Sequence, residues 1–90
     1  MRIVHALLRG APDTATTVPG THLIHDLLWA HSAPGDGIQH IVIRPAPYGM
    51  EAVLFLTAPS DEAALHRARG LMLRAREPIA AHGFTASLPA

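Results

Sequence analysis

The sequence has no cysteine and no lysine, few aromatic residues and no excess of either charge. Without cysteine the chain can form no disulfide, no thiolate zinc site and no cysteine nucleophile, and such a composition is typical of the reducing cytosol. Seven arginines against seven acidic residues give a formal net charge of zero. This balance argues against nucleic-acid binding, in which neutralisation of phosphates supplies most of the affinity.

Long apolar runs are also missing, and none approaches the ~20 residues that a membrane-spanning helix needs. The opening stretch MRIVHALLRGAP holds only a short apolar run, and proline and aspartate follow where a secretion signal would continue. Arginine as the only basic residue, with many alanines and prolines, is typical of a high-GC bacterial genome. We therefore predict a cytoplasmic protein that contacts neither membrane nor nucleic acid.

The length of the chain, 90 residues, is enough for one domain, which we expect to span residues 1–90. Hydrophobic residues make up 49% of it, which is enough for a folded core. The segment 9–20 is rich in threonine, proline and glycine and predicts a long loop. The hydrophobic pattern predicts strands over 2–8, 38–44, 50–57 and 83–89. It also predicts a helix over 21–32, with Thr21 as N-cap, and a second helix after the N-cap Ser60, which Pro78 ends or kinks.

The predicted order of elements is β-α-β-β-α-β, which resembles the ferredoxin-like split βαβ topology. This resemblance implies an α+β fold, with two helices on one face of a four-stranded antiparallel sheet and the first and third strands at its centre. The strand over 50–57 is the most apolar segment and suits a central position, whereas Pro45 suits an edge strand. The resemblance concerns topology, which does not determine function.

The stretch THLIHDLLWAHS, residues 21–32, concentrates three histidines, an aspartate and the only tryptophan. On a helix, its polar side chains lie opposite a broad apolar face that packs on the sheet. That apolar face comprises Leu23, Ile24, Leu27, Leu28 and Ala30. His22, His25 and Asp26 are candidate metal ligands, but a fourth ligand is missing. We favour a solvated face on which a histidine bonds Asp26, with no metal and no cofactor. The large apolar side chain of Trp29 should be shielded from solvent, either by the 9–20 loop or by another chain.

Both sides of the central strands are largely apolar. A sheet that is covered by helices on one side only normally alternates apolar and polar residues along its strands. Because both sides are apolar here, we expect the second side to be buried against something as well. A second copy of the chain would provide it in a dimeric α+β barrel. The alternative is a small ligand, held on the open side or in a pocket between sheet and helices, with His5, His40 and Arg44 as its polar or catalytic groups.

The second helix carries arginines on both flanks of its apolar stripe. Arg67 and Arg74 lie seven residues apart on one flank, and Arg69 and Arg76 on the other. Such arginines commonly complement the helix dipole, but they also suit an acidic partner. The candidates for contact with a protein partner are Trp29, His25, Arg67, Leu73 and Arg74.

Two functions from different classes follow from these features. The favoured one is a small non-catalytic homodimeric module that acts by protein-protein interaction or as an accessory protein. The alternative is a small dimeric α+β barrel enzyme or small-molecule binder, similar to cofactor-independent monooxygenases or polyketide-type cyclases. A histidine that reaches into a cavity would favour the second, and an apolar outer surface would favour the first.

Overall fold

The computed structural model describes residues 1–10 and 18–88 of the chain. These residues form an α+β fold of four strands and three α-helices, with a single 3-10 turn at Pro34–Asp36. The elements are β1 (Arg2–Gly10), α1 (Val18–His31), β2 (Ile38–Ala46), β3 (Gly49–Leu56), α2 (Asp61–Arg74), α3 (Arg76–Ala81) and β4 (Phe84–Ser87). No helix within these described ranges is long and apolar enough to cross a lipid bilayer.

The four strands form one antiparallel sheet in the order β2-β3-β1-β4, so β1 and β3 are central, as the sequence predicted. Most of β3 is buried, which explains why its segment is the most apolar of the chain. β2 is an edge strand and accommodates Pro45, because an edge strand can spare one backbone N–H. β4 is the opposite edge and pairs only with residues 7–10 of β1.

The connection between β2 and β3 is shorter than the sequence suggested. The strands continue through Pro45 and Gly49, so that only Pro47 and Tyr48 form the turn. Gly49 has a φ of 143°, and a Cβ at this position would lie 2.3 Å from the carbonyl oxygen of Leu8. Glycine is therefore required where β3 begins, because any other residue would clash with the neighbouring central strand.

All three helices pack on one side of the sheet, where they build the hydrophobic core. α1 lies against β2, α2 against β1 and α3 against β4. The sheet contributes Val4, Ala6, Leu8, Ile41, Met50, Ala52, Leu54 and Leu56, and the helices contribute Ile24, Leu28, Ala64, Ala68, Leu71 and Ile79. The opposite side of the sheet has no such layer among the described residues.

The second helix predicted from the sequence is in fact two helices. α2 ends at Arg74, and α3 begins at Arg76 after Ala75, whose φ and ψ are −90° and 0°. Pro78 is the physical reason, because proline has no backbone N–H and its ring clashes with the carbonyl four residues earlier, that of Arg74. Pro78 instead occupies the first turn of α3, where proline is tolerated.

The beginning of α2 agrees with the sequence prediction. The hydroxyl of Ser60 accepts a hydrogen bond from the backbone N–H of Ala63 at 3.1 Å, which confirms Ser60 as the N-cap. Asp61 and Glu62 lie in the first turn, where negative charge interacts favourably with the helix dipole.

The beginning of α1 differs from the prediction. The helix starts at Val18, so the predicted N-cap, Thr21, lies inside its first turn and is buried. Proline is compatible with the first turn of a helix, and Pro19 is the second residue of α1. Of the loop predicted over 9–20, residues 11–17 lie outside the described residues, and its two ends belong to β1 and α1.

α1 also packs through a narrower stripe than predicted. Ile24 and Leu28 are buried and Leu27 is partly buried, whereas Leu23 and Ala30 are exposed. Successive helical residues rotate by about 100°, which places Leu23 and Ala30 well to the side of the line through Ile24 and Leu28. The first helix therefore leaves a large apolar side chain, Leu23, in solvent.

A bulge at Gln39 changes the alternation at the start of β2. Ile38 pairs with Leu56, but His40 already pairs with Phe55, so Gln39 is the additional residue. Ile38 consequently turns to the helix side and packs against the core, instead of sharing a side with His40. From His40 onward, the predicted alternation is observed.

Candidate functional site

The side of the sheet opposite the helices is not covered by any described element, and we call it the open face. Its side chains come from alternate positions of the four strands. The open face comprises Ile3, His5, Leu7 and Arg9 of β1, His40, Val42 and Arg44 of β2, Glu51, Val53 and Phe55 of β3, and Thr85 and Ser87 of β4.

One half of the open face is apolar. Phe55 lies between Ile3 and His40 in the register of the sheet, and Val53 lies in the next row beside Val42. Val53 is only 6% exposed because its neighbours surround it, whereas Ile3 is 55% exposed. A shallow cavity of about 210 Å³ is lined by the apolar side chains of Ile3, Val42, Val53 and Phe55, together with His5 and Arg44. This half of the face thus offers an apolar surface with a depression at its centre.

The other half of the open face is built around Glu51. Its carboxylate accepts a hydrogen bond from Arg44 on β2, and its second oxygen lies 3.3 Å from Nδ1 of His5 on β1. The hydrogen bond from Arg44 lowers the pKa of Glu51 below its ordinary value, against the opposing effect of desolvation, and the bond with His5 lowers it further. The three side chains therefore form a polar cluster that crosses the three strands.

All three candidate catalytic residues lie on the open face. His5 and Arg44 belong to the cluster around Glu51, and His40 lies at the apolar end with its ring centroid 5.6 Å from that of Phe55. None of them lies between the sheet and the helices. A ligand that uses these groups would have to bind on the open face. The sequence analysis did not identify Glu51 as a candidate. Its position between two apolar residues of a central strand could have indicated it, because an acidic residue is unusual there.

The polar side of α1 forms a chain of hydrogen bonds. The indole Nε1 of Trp29 donates to Nε2 of His25 at 3.3 Å. Because Nε2 accepts, Nδ1 carries the hydrogen, and this nitrogen lies 3.2 Å from a carboxylate oxygen of Asp26. The expected histidine–Asp26 bond is thus present, and both ring nitrogens of His25 have partners. No group of three possible metal-binding side chains occurs among the described residues, and His22 is exposed.

Trp29 is less exposed than its position on the helix suggested. It is partly buried and packs against the edge of the core, while its indole nitrogen bonds His25. The alternative cover, the segment 11–17, lies outside the described residues. The tryptophan therefore has contacts within its own chain.

Arg67 and Arg74, the arginines favoured for contact with a partner, both bond the backbone or side chains of their own chain. Arg67 donates to the carbonyl of Thr57. Arg74 donates through Nε to the carbonyl of His31 at 3.1 Å and through Nη2 to the buried carboxylate of Asp36. These bonds tie α2 to the end of β3, to the end of α1 and to the 3-10 turn.

A second surface lies between the helices and the edge strand β4, and we call it the β4 groove. It has a volume of about 570 Å³, and Met72, Leu73 and Phe84 form its apolar part. Leu73 is 63% exposed. Arg69 and Arg76 line the same groove. Leu73, a predicted contact for a protein partner, thus lies on this groove, but the arginines beside it are Arg69 and Arg76 and not the predicted Arg67 and Arg74. Both pairs are seven residues apart, so the sequence could not distinguish them.

Comparisons of the chain with protein-family models, with curated proteins and with solved structures found no match.

Proposed function

We propose that this protein is a non-catalytic interaction module that forms a homodimer through its open face, with a ferredoxin-like arrangement in each copy. The order β2-β3-β1-β4, antiparallel throughout, supports that arrangement. Two such sheets packed face to face would form an α+β barrel with their helices outside. The single observation that carries the proposal is that exposed Ile3 and partly exposed Phe55 and Val42 adjoin on a side of the sheet that no helix of the described residues covers.

The size of the open face sets the strength expected of such a dimer. Three strands of eight or nine residues and a fourth of four residues, about 4.8 Å apart, present roughly 500 Å² per copy. Two copies would bury about 1,000 Å², which is at the lower limit for a specific interface. We therefore expect a dimer that forms at micromolar rather than nanomolar concentration.

The polar half of the face suits such a contact. Arg44 and Glu51 are already paired with each other, and His5 completes the cluster. A second sheet can cover this cluster without leaving an unpaired charge, whose burial would be costly. In a two-fold interface, each copy presents the same cluster and the same apolar half to its partner.

The test compares two variants that introduce the same charge at two exposed apolar positions. Ile3→Glu changes the open face, and Leu73→Glu changes the β4 groove; the two side chains are 55% and 63% exposed, so both variants should fold. Sedimentation velocity from about 1 µM to about 500 µM would measure association. We expect the wild type and Leu73→Glu to dimerise and Ile3→Glu to remain a monomer, with circular dichroism confirming the fold. A wild-type protein that stays monomeric throughout, or an Ile3→Glu protein that dimerises as well as wild type, would contradict the proposal.

The cavity on the open face favours a second candidate function, the binding of a small molecule. Its volume of about 210 Å³ is smaller than most ligand pockets, but His5 and Arg44 line it together with apolar side chains. A ligand with a carboxylate on a small apolar body would compete with Glu51 for Arg44. Binding of such a compound to the wild-type protein, lost on Arg44→Gln and visible as NMR shifts of Val42 and Val53, would support this second function.

A further inference from the structure

β4 is an edge strand with an unoccupied outer side. It is four residues long, pairs with β1 on its inner side, and makes no backbone hydrogen bond on its outer side with any residue that the structure describes. An exposed strand edge is a template for a further strand, because its N–H and C=O groups lack partners. The β4 groove runs along this edge, so an extended segment laid in the groove could pair with β4.

The floor and rim of the groove are apolar at their centre. Met72 and Phe84 are 6% and 7% exposed and form the floor, and the side chain of Leu73 stands on the rim. A side chain of an extended segment could therefore contact Leu73 and Met72 while its backbone pairs with β4. In a strand, alternate side chains point to the same side, so the residues two before and two after it would also point towards α2 and α3.

The charge around this centre is positive. Arg2, Arg44, Arg67 and Arg74 all have acceptors within the chain, and Arg9 lies over the ring of Tyr48 at 6.0 Å. Arg69 and Arg76, in contrast, have no hydrogen bond or ion pair with any other residue in the described ranges. Arg69 belongs to α2 and Arg76 to α3, and both line the groove. Carboxylates four residues apart in a strand are about 13 Å apart, a span that two flexible arginines can match.

This charge also distinguishes between two possible occupants of the edge. If β4 paired with β4 of a second copy, the two-fold axis would bring Arg69 and Arg76 of both chains together, and four like charges would repel. An acidic segment of another protein would instead neutralise them. The groove shares only Thr85 and Ser87 with the open face, while Arg69, Leu73 and Arg76 lie on the helices of the opposite side of the sheet, so each copy of a dimer could bind one such segment.

We propose that the β4 groove binds an extended acidic segment of a partner protein, which adds as a fifth strand beside β4. Two carboxylates of the segment pair with Arg69 and Arg76, and an apolar side chain midway between them contacts Leu73. The inference goes beyond the dimer of the open face and does not depend on it, because every contributing residue belongs to one copy.

The experiment uses a capped, fluorescently labelled peptide, Ser-Glu-Thr-Val-Thr-Glu-Ser, whose glutamates and valine share one side when it is extended. Anisotropy measures its binding to the wild-type protein and to Arg69→Gln/Arg76→Gln, for which we expect a loss of affinity of about tenfold or more. Arg2→Gln removes one arginine at a distance from the groove and serves as the control, since Arg2 bonds the exposed Asp61. We expect its affinity to stay within about twofold of wild type.

Two altered peptides test the mode of binding. Replacement of both glutamates by glutamine should weaken binding as much as the double arginine variant does. N-methylation of the central backbone amides should abolish binding, because it blocks strand pairing but leaves every side chain in place. In the wild type, peptide binding should shift the NMR signals of Thr85, Ala86 and Ser87 and slow exchange of their amide hydrogens.

Three results would overturn the inference: no binding of the parent peptide at 1 mM, equal binding of the N-methylated peptide, or an equal loss with Arg2→Gln. Stronger self-association of Arg69→Gln/Arg76→Gln would point to a second copy as the occupant and would also overturn it. Repeating the titration with Ile3→Glu separates the two proposals, because that variant removes the open-face dimer and should bind the peptide as well as wild type does.

Discussion

Arg74, in the last turn of α2, hydrogen bonds the carboxylate of Asp36, which lies 38 positions earlier in the chain. The side chain of Asp36 is 8% exposed and that of Arg74 is 43% exposed. Asp36 also accepts a hydrogen bond from the backbone N–H of Ala33 at 2.8 Å. One carboxylate therefore closes the 3-10 turn and fastens it to α2, while Arg74 also bonds the end of α1 through His31.

We expect Asp36→Ala to destabilise the fold by about 2 kcal/mol, because it removes two hydrogen bonds at a nearly buried site. The partial exposure of Arg74 limits the loss, since the freed guanidinium can reach water. Urea unfolding would measure the change. Asp61→Ala is the matched control, because the side chain of Asp61 is 92% exposed in its ion pair with Arg2. That control loses only an exposed ion pair and an interaction with the helix dipole, so it should lose about 1 kcal/mol or less; equal losses in the two variants would refute the role assigned to Asp36.

The lowered pKa of Glu51 predicts how stability depends on pH. A carboxyl group with a lowered pKa in the folded state binds fewer protons folded than unfolded, so it stabilises the fold above its ordinary pKa of 4.5. This stabilisation is lost as the pH falls through the lower, folded-state pKa. Glu51→Gln should therefore be less stable than wild type at pH 7, and the difference should shrink as the pH is lowered through the acid range.

Urea unfolding midpoints of both proteins from pH 7 downward would measure this difference. Glu77→Gln, at an exposed position of α3, serves as the control and should follow the wild-type curve. A gap between wild type and Glu51→Gln that stays constant at every pH would contradict the assignment.

Gly49 and Gly35 form a matched pair for a test of the backbone. Gly49→Ala places a Cβ 2.3 Å from the carbonyl oxygen of Leu8 at a φ of 143°, whereas a Cβ at Gly35 has no atom within 4 Å. We expect Gly49→Ala to destabilise the fold by several kcal/mol, roughly 3 or more, and Gly35→Ala to change the stability by less than about 0.5 kcal/mol. Thermal unfolding of the two variants would decide; a Gly49→Ala protein as stable as wild type would mean that β1 and β3 do not approach so closely.

The bond between Trp29 and His25 should be visible in fluorescence, since Trp29 is the only tryptophan. His25→Leu removes the acceptor of the indole N–H, so the emission maximum of Trp29 should differ from that of wild type. His22→Leu alters an exposed histidine of the same helix and should keep the wild-type emission; an equal change in both variants would show that the helix, and not this bond, determines the emission.

Features determined by near neighbours could be predicted from the sequence. The cap at Ser60 depends on residues three positions apart, and the alternation of β3 separates Glu51, Val53 and Phe55 from the buried side chains between them. Such patterns express geometry that is local to a helix turn or a strand.

Features that depend on distant partners could not be predicted. Arg67 and Arg69 occupy similar sequence surroundings, yet Arg67 donates a hydrogen bond to the carbonyl of Thr57 whereas Arg69 lines the β4 groove. The bond between Asp36 and Arg74 could not be predicted, because nothing near Asp36 in the sequence indicates that Arg74 approaches it. The bulge at Gln39, which turns Ile38 to the helix side, could not be predicted either, because a bulge leaves no mark on the spacing of apolar residues.

The pairing of Leu7 with Ser87 has a consequence for how the chain folds. β2 and β3 meet across a turn of two residues, so they can associate at little entropic cost, whereas β4 must find β1 by closing a loop of about eighty residues. Contacts so remote in sequence slow the rate-limiting step of folding. We expect the hairpin of β2 and β3 to form early and the edge strand to join last, so that the surface for a partner segment is complete only when folding itself is complete.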